Sequence, residues 1–298
     1  MKYKIWLPIQ NGAPINTFNH HAAFLRILFT IENYYKYFYS DFINIWLCPM
    51  PSAAGFIMEK WYCDDEFFDM VILTSDGENP ITNCFGENAD KMVPGLLREE
   101  NCIKNIKQML SLGFYVSGRI DEYYVPKRKS EGRLHHRHDF YMNGYDDTEG
   151  CFYLGGYTVD EKYEIVNMPY GRFFLGLSEL NRFNMLNFCR LKDEYNFEIN
   201  ISKIIALLED YMSGCSSFEN PSGIFKPNTD SFYYGIGVYD GLVESIVENE
   251  SRLDIRVFRM LMEHKKCMME RWEVLEEAGI RIGDNIKKRY YELVNMQV

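Results

Sequence analysis

The sequence predicts an α+β protein, on three observations. A β-rich stretch with turn chemistry runs from Gly118 to Tyr157. An apolar pattern at helical period precedes it, between Phe18 and Tyr39. From about Ser178 the chain becomes helical to its end. These features divide the 298 residues into a sheet-bearing domain, 1–180, and a helical subdomain, 181–298. That length holds one large domain or two ordinary ones.

Taken in order, the segment from Met1 to Pro8 alternates enough to form a short strand, and "QNGAPINT" is loop chemistry. Asn16 or Thr17 is placed to cap the helix that follows. Apolar side chains at Phe24, Ile27, Leu28, Ile31, Tyr34, Tyr35 and Phe38 predict one buried helix over 18–39. A strand-like run covers Phe67 to Thr74. A helix is expected from Glu99 to Leu112, ended by Gly113, with a strand from Phe114 to Ile120 after it.

Val116 to Val125 is rich in β-formers and is closed by Pro126. Asp139 to Gly144 is a second apolar-aromatic run, headed by His138. "YDDTEG" is a turn, since Asp hydrogen-bonds tight turns and Gly allows positive φ, so Asp146 and Asp147 read as turn formers. Cys151 to Tyr157 is the returning strand. "YEIVNMPYGRFFLGL" gives another strand, a turn at 169–171 and a short helix. Beyond it, 181–195 and 200–214 read as helices, the second stopped by Gly214. Residues 215–231 read as loop, and 232–250 restart a helix. A long amphipathic helix follows Asp254 as N-cap, and the last helix starts near Asp284. His264, inside the long helix, reads as structural.

The formal net charge of −11 argues against general binding of a nucleic-acid backbone or an anionic membrane. Lys127, Arg128, Lys129 and Arg133 form a local basic run that reads as a solvated loop, or as a patch for an acidic partner such as a carrier protein. The eight cysteines are scattered without metal-like spacing, so no metal and no cofactor is expected. No secretory leader and no bilayer-length apolar run is visible, which predicts a cytoplasmic protein with reduced thiols. There is no phosphate-binding glycine loop, no HExxH and no GxSxG. The 22 Tyr and 21 Phe fit an aromatic core or an aromatic-lined cleft.

The elements "IDEYYVP", "HHRHDFYMNGYDD" and "CFYLGGY" resemble the N-terminal domain of the butirosin biosynthesis protein H family, over roughly residues 5 to 180. The resemblance implies a papain-like fold: an antiparallel sheet packed on a central N-terminal helix, with the helical subdomain appended. It also implies acyl transfer from a carrier-protein thioester to an amine, or amide-bond formation or cleavage, in specialised-metabolite biosynthesis.

The family pattern places a catalytic Asn-Cys-aromatic at the start of the first helix. The matching residues here are Asn16, Thr17 and Phe18, so a hydroxyl stands where the thiol is expected. An internal Thr is a weak nucleophile without a base. Three readings stay open: a silent site, a Thr17 activated by His138, or a relocated thiol at Cys48 or Cys63. In the resemblance His138 is the general base, and Gln10 or Asn11 supplies an oxyanion-holding amide. His21, Tyr123 and Tyr124 are expected to line the substrate. Asp139, Asn143 and Tyr157 are candidates to orient the His138 ring. The competing reading is an inactive papain-like protein that binds a peptide-like or aryl metabolite, or scaffolds a biosynthetic complex.

Overall fold

The computed structural model describes residues 3–48, 53–56, 68–73, 99–178, 186–192, 195–216, 232–248 and 254–295. Cys63 and most of the expected loop at 215–231 lie outside them. The chain is a mixed α+β protein, and its described strands all pair antiparallel. It forms two compact units that interleave along the sequence. The first comprises Met1–Asn11, Asn19–Thr30 and Tyr62–Glu194; the second comprises Gly12–Phe18, Ile31–Trp61 and Tyr195–Val298.

The first unit carries a seven-stranded sheet. Its strands are β1 (Lys4–Trp6), β4 (Phe68–Leu73), β5 (Tyr115–Asp121), β6 (Arg137–Asp146), β7 (Cys151–Tyr157), β8 (Tyr163–Pro169) and β9 (Leu186–Leu191), and the order is β4-β9-β5-β6-β7-β8. β5 pairs with the first part of β6, from Asp121↔Arg137 to Val116↔Met142. β1 takes over that edge at Trp6↔Gly144 to Lys4↔Asp146. The change of partner coincides with a bulge between Met142 and Gly144. A side chain at 144 has no room, because a Cβ there would lie 2.1 Å from the Ile5 carbonyl oxygen. Glycine therefore lets β1 approach.

The hairpin β6–β7 forms as its residues predict. Asp146 Oδ1 accepts from the Thr148 amide at 2.9 Å and from its hydroxyl at 2.5 Å, and Gly150 closes the turn at φ +64°. Lys4 bridges Asp146 Oδ2 at 2.8 Å, and its hydrogen bond, with those of Thr148, holds the Asp146 carboxyl far below the usual range.

Helices flank this sheet on both faces. α1 (Asn19–Leu28) lies on the side of β6 bearing Tyr141, where Phe24 meets the Tyr141 ring edge-on at 5.3 Å. α3 (Glu99–Ser111) and α4 (Tyr170–Ser178) cover the side bearing Phe140 and Met142. Phe140 and Phe152 there pack edge-on against Phe173 of α4. The main core forms on that side, from Ile106, Met109, Leu110, Ile120 and Leu177 with those rings. Gly113, at φ +88°, ends α3 as expected.

The second unit holds α2 (Tyr34–Asp41), a small sheet of β2 (Ile45–Cys48), β3 (Ala53–Phe56) and β10 (Tyr233–Tyr234), and helices α5 (Ile201–Ser213), α6 (Val238–Glu248), α7 (Ile255–Glu277) and α8 (Asp284–Asn295). Asp254 caps α7 and Gly214 ends α5, left-handed at φ 67°, as expected, and Asn200 caps α5 by accepting from the Lys203 amide. α7 buries His264, whose Nε2 donates to the Ile43 carbonyl at 2.7 Å. It also buries Arg271, which donates to the Tyr39 and Phe42 carbonyls at 2.6 and 2.7 Å. Burial pushes the His264 pKa down to about 3, which keeps the ring neutral and structural.

Four expectations change. The helix expected over 232–250 begins only at Val238, because Tyr233 and Tyr234 pair with β2 as β10 and a 3-10 turn at Gly235–Gly237 follows. The single helix over 18–39 is two helices, α1 and α2, one in each unit. The Thr30 hydroxyl closes α1 on the Ile27 carbonyl, and Asn33 is left-handed at φ 62°, so the apolar period continues through a break in the backbone. Residues 186–191, read as helix, form β9, held between β4 and β5. The turn expected at 169–171 is absent, because β8 ends at Pro169 and α4 begins at Tyr170.

Candidate active site

β6 starts at Arg137 and pairs beside the end of β5, so His138 stands opposite Ile120. Immediately after β5 a single 3-10 turn, Glu122–Tyr124, is fixed by Asp121, whose Oδ1 accepts the Tyr123 amide at 3.0 Å. The Glu122 amide in turn donates to the His136 carbonyl at 2.8 Å. This local geometry sets the Glu122 carboxylate beneath two imidazoles. His138 Nδ1 lies 3.1 Å from Oε1 and His136 Nδ1 lies 3.3 Å from Oε2. The two rings stack with centroids 5.6 Å apart. His136 lies one residue before β6 and two before His138, and both rings reach the one carboxylate.

Burial alone would raise the Glu122 pKa, but the hydrogen bond and charge of His138, the bond from His136 and the charge of Arg128 outweigh it. The carboxyl is held below its usual range and stays ionised. An ionised carboxylate only accepts, so each Nδ1 carries the proton that its hydrogen bond needs, and Nε2 is the ring nitrogen that Glu122 does not engage. The His138 side chain is 43% exposed, against 13% for Glu122. A partly exposed imidazole oriented through Nδ1 by a carboxylate is the form in which a general base is presented.

Arg128 anchors Glu122 from below. It is buried, 3.8 Å from Glu122 Oε1, and donates to the Gly155 carbonyl at 3.1 Å and to the Tyr157 carbonyl. The expected solvated basic run is therefore broken at this residue. Lys127 pairs with Glu164 at the surface. The adjoining His135 forms a parallel dyad, its Nδ1 2.6 Å from Asp121 Oδ2 and its ring stacked 4.4 Å from Tyr123. Burial again opposes ionisation of Asp121, and the His135 bond with two backbone donors prevails, lowering its pKa.

Thr17 belongs to the second unit and His138 to the first. The Thr17 hydroxyl donates to Glu263 Oε2 at 2.7 Å, and the Thr17 and Asn16 amides donate to the same carboxylate at 3.1 and 2.7 Å. Burial raises the Glu263 pKa, against the pull of these three donors. Gln10 gives its side-chain amide to the Phe29 carbonyl at 3.2 Å, and the Gln10 and Asn11 carbonyls accept from Arg26. His21 is buried within α1, and Tyr124 packs against the core of the first unit while Tyr123 stacks on His135.

None of the three candidates to orient His138 does so through a contact found here. Asp139 pairs with Arg119 at 3.1 Å, and the Asn143 side-chain amide donates to the Leu7 carbonyl at 3.1 Å. The Tyr157 carbonyl accepts from Arg128. The orienting group is Glu122, which was not among those candidates. Its signal in the sequence was an acidic pair directly after a strand, followed by two aromatics. Glu263 had no local signal at all. Among the described residues no group of three or more His, Cys, Asp or Glu is arranged to hold a metal ion. No described helix is long and apolar enough to cross a membrane.

No known protein-family model matches this chain, and no curated protein is similar enough to count as a relative.

Proposed function

We propose that this protein catalyses acyl transfer from a thioester, carried on an acyl or peptidyl carrier protein, to an amine, in the assembly of a specialised metabolite. The observation that supports this is the His138–Glu122 pair, with Nδ1 bound by the carboxylate and the imidazole partly exposed. In this mechanism the acceptor amine attacks the thioester carbonyl while His138 Nε2 takes its proton. The C–N bond forms, the C–S bond breaks, and the imidazolium returns the proton to the departing thiolate. Glu122 keeps the imidazole in one tautomer and stabilises its cationic form. Such direct transfer needs no nucleophile from the protein, which accommodates a threonine where the resembling family carries a thiol. The papain-like reading of the fold, with Gln10 or Asn11 near the acyl oxygen, is part of the same proposal.

The test is acyl transfer from a pantetheine thioester to a panel of amines. His138→Ala is expected to lower the rate by at least about a hundredfold, the usual contribution of a general base. His138→Ala at full activity would remove the proposal.

A second reading is favoured by the Thr17–Glu263 contact. A hydroxyl and two amides engaged by the protein's own carboxylate make a structural tie, as in an inactive papain-like protein that binds a metabolite or scaffolds a complex. Binding of thioester or peptide-like compounds with no turnover, in wild type and His138→Ala alike, would select it.

A further inference from the structure

Residues 127–138 carry five of the chain's Lys and Arg and one acid, Glu131, in a protein of formal net charge −11. The structure separates the cations that serve the fold from those that do not. Arg128 is buried and donates to the Gly155 and Tyr157 carbonyls, and Lys127 pairs with Glu164. Lys129 and Arg133 are exposed, and neither makes an ion pair or a side-chain hydrogen bond among the described residues.

The neighbouring acids are each occupied. Glu131 takes the Arg172 guanidinium at 2.8 Å and the Lys127 amide at 2.7 Å. Asp121 engages His135, and Glu122 engages His136 and His138. Asp139 pairs with Arg119. The turn therefore presents uncompensated positive charge to solvent on an otherwise acidic protein.

It presents that charge from a fixed backbone. The Gly132 amide donates to the Tyr123 carbonyl at 3.0 Å, and the Arg133 and Leu134 amides donate to the Ser130 carbonyl at 3.0 and 3.1 Å. Tyr123 belongs to the 3-10 turn that carries Glu122, so the same turn holds the loop and orients His138. Leu134 stands next to Arg133 and is 62% exposed. Two held cations beside an exposed apolar side chain complement a protein surface of clustered carboxylates, because matched potentials steer encounter and fix register.

We propose that the turn 129–134 docks an acidic surface of the carrier protein and so brings its thioester to His138. The identity of this partner rests on the acyl-transfer reading. Its acidic chemistry rests on Lys129 and Arg133 alone.

The probe is an acidic acyl carrier protein in its pantetheine-bearing form, labelled and titrated with the full chain by fluorescence anisotropy. Affinity is expected to fall about tenfold or more between about 0.01 and 0.15 M salt, as the screening length shortens from about 30 to 8 Å. Lys129→Glu combined with Arg133→Glu should weaken binding about tenfold at the lower salt. Neither substitution removes a bond of the fold. Lys288→Glu combined with Arg289→Glu changes the net charge equally at exposed positions of α8, and should cost less affinity. Equal losses in the two variants, no binding, salt-independent binding, or equal binding of a short DNA duplex would each overturn the docking site. Binding is read without turnover, so the two proposals fail separately. Salt-dependent docking without transfer would keep this surface and remove acyl transfer. Transfer from a free pantetheine thioester without docking would do the reverse.

Discussion

The Thr17 hydroxyl donates a hydrogen bond to Glu263 Oε2, at 2.7 Å, across 246 residues of sequence. The same carboxylate takes two consecutive amides, so it behaves as a bound anion in a backbone nest. Thr17→Val should cost about 1–2 kcal/mol in urea denaturation, the loss of one hydrogen bond to a charged acceptor. Combined with Glu263→Ala, the double variant should lose less than the sum of the single losses, by about 0.5 kcal/mol or more. Strict additivity would show that the contact contributes nothing in solution.

Acid stability reports on Glu122. Its folded pKa is lowered, so its contribution is fully present above the ordinary carboxylate value of about 4.5 and is lost as pH falls through the lower folded value. Wild type should therefore lose stability more steeply below about pH 4.5 than Glu122→Gln. Thermal melts at pH 6 and pH 3.5 compare the two, and parallel losses would remove Glu122 as an ionised anchor. The same variant should slow acyl transfer about tenfold, because an amide can hold His138 in the wrong tautomer.

Gly156 is the place where Arg128 reaches the sheet. A Cβ there would lie 2.2 Å from Arg128 Nη2, and φ is +153°. Arg128 is pinned by the Gly155 and Tyr157 carbonyls and has nowhere to retreat. Gly156→Ala should destabilise by about 2 kcal/mol or more. Gly12→Ala, which meets nothing within 4 Å, should be close to neutral. Equal, small effects would refute the tight packing of Arg128.

Among the described cysteines, Cys102, Cys151, Cys189 and Cys267 are buried and Cys215 is exposed. Burial also pushes the Cys151 and Cys267 thiols up, away from the reactive thiolate. Iodoacetamide should label Cys215 at the rate of an ordinary surface thiol and the other four far more slowly. Rapid modification of any of the four would identify a nucleophile and shift the mechanism from direct transfer to a covalent intermediate.

Much of the fold was legible because it is written in local patterns. The hairpin from 137 to 157 follows from two alternating runs and an Asp-rich turn. α5 and α7 follow from period and from Gly214 and Asp254 at their ends, while the Asn200 cap was not read from the sequence. The failures were equally physical. The apolar stripe over 18–39 has one period, but a left-handed Asn33 splits it into two helices that serve two units. "LNFCRL" has no strand signal of its own and becomes one because β4 and β5 offer unpaired edges on either side.

By itself, the sequence determined an α+β chain, a histidine at the head of a central strand, and the absence of a thiol at position 17. Only the tertiary structure decided which carboxylates those residues meet. Glu122 reaches His138 because the β5–β6 register sets the turn after Asp121 beside His136 and His138. Glu263 reaches Thr17 because α7 presents it from the far end of the chain. Residue type and period are local properties, whereas a hydrogen-bond partner is fixed by register and packing between segments that no spacing in the sequence connects.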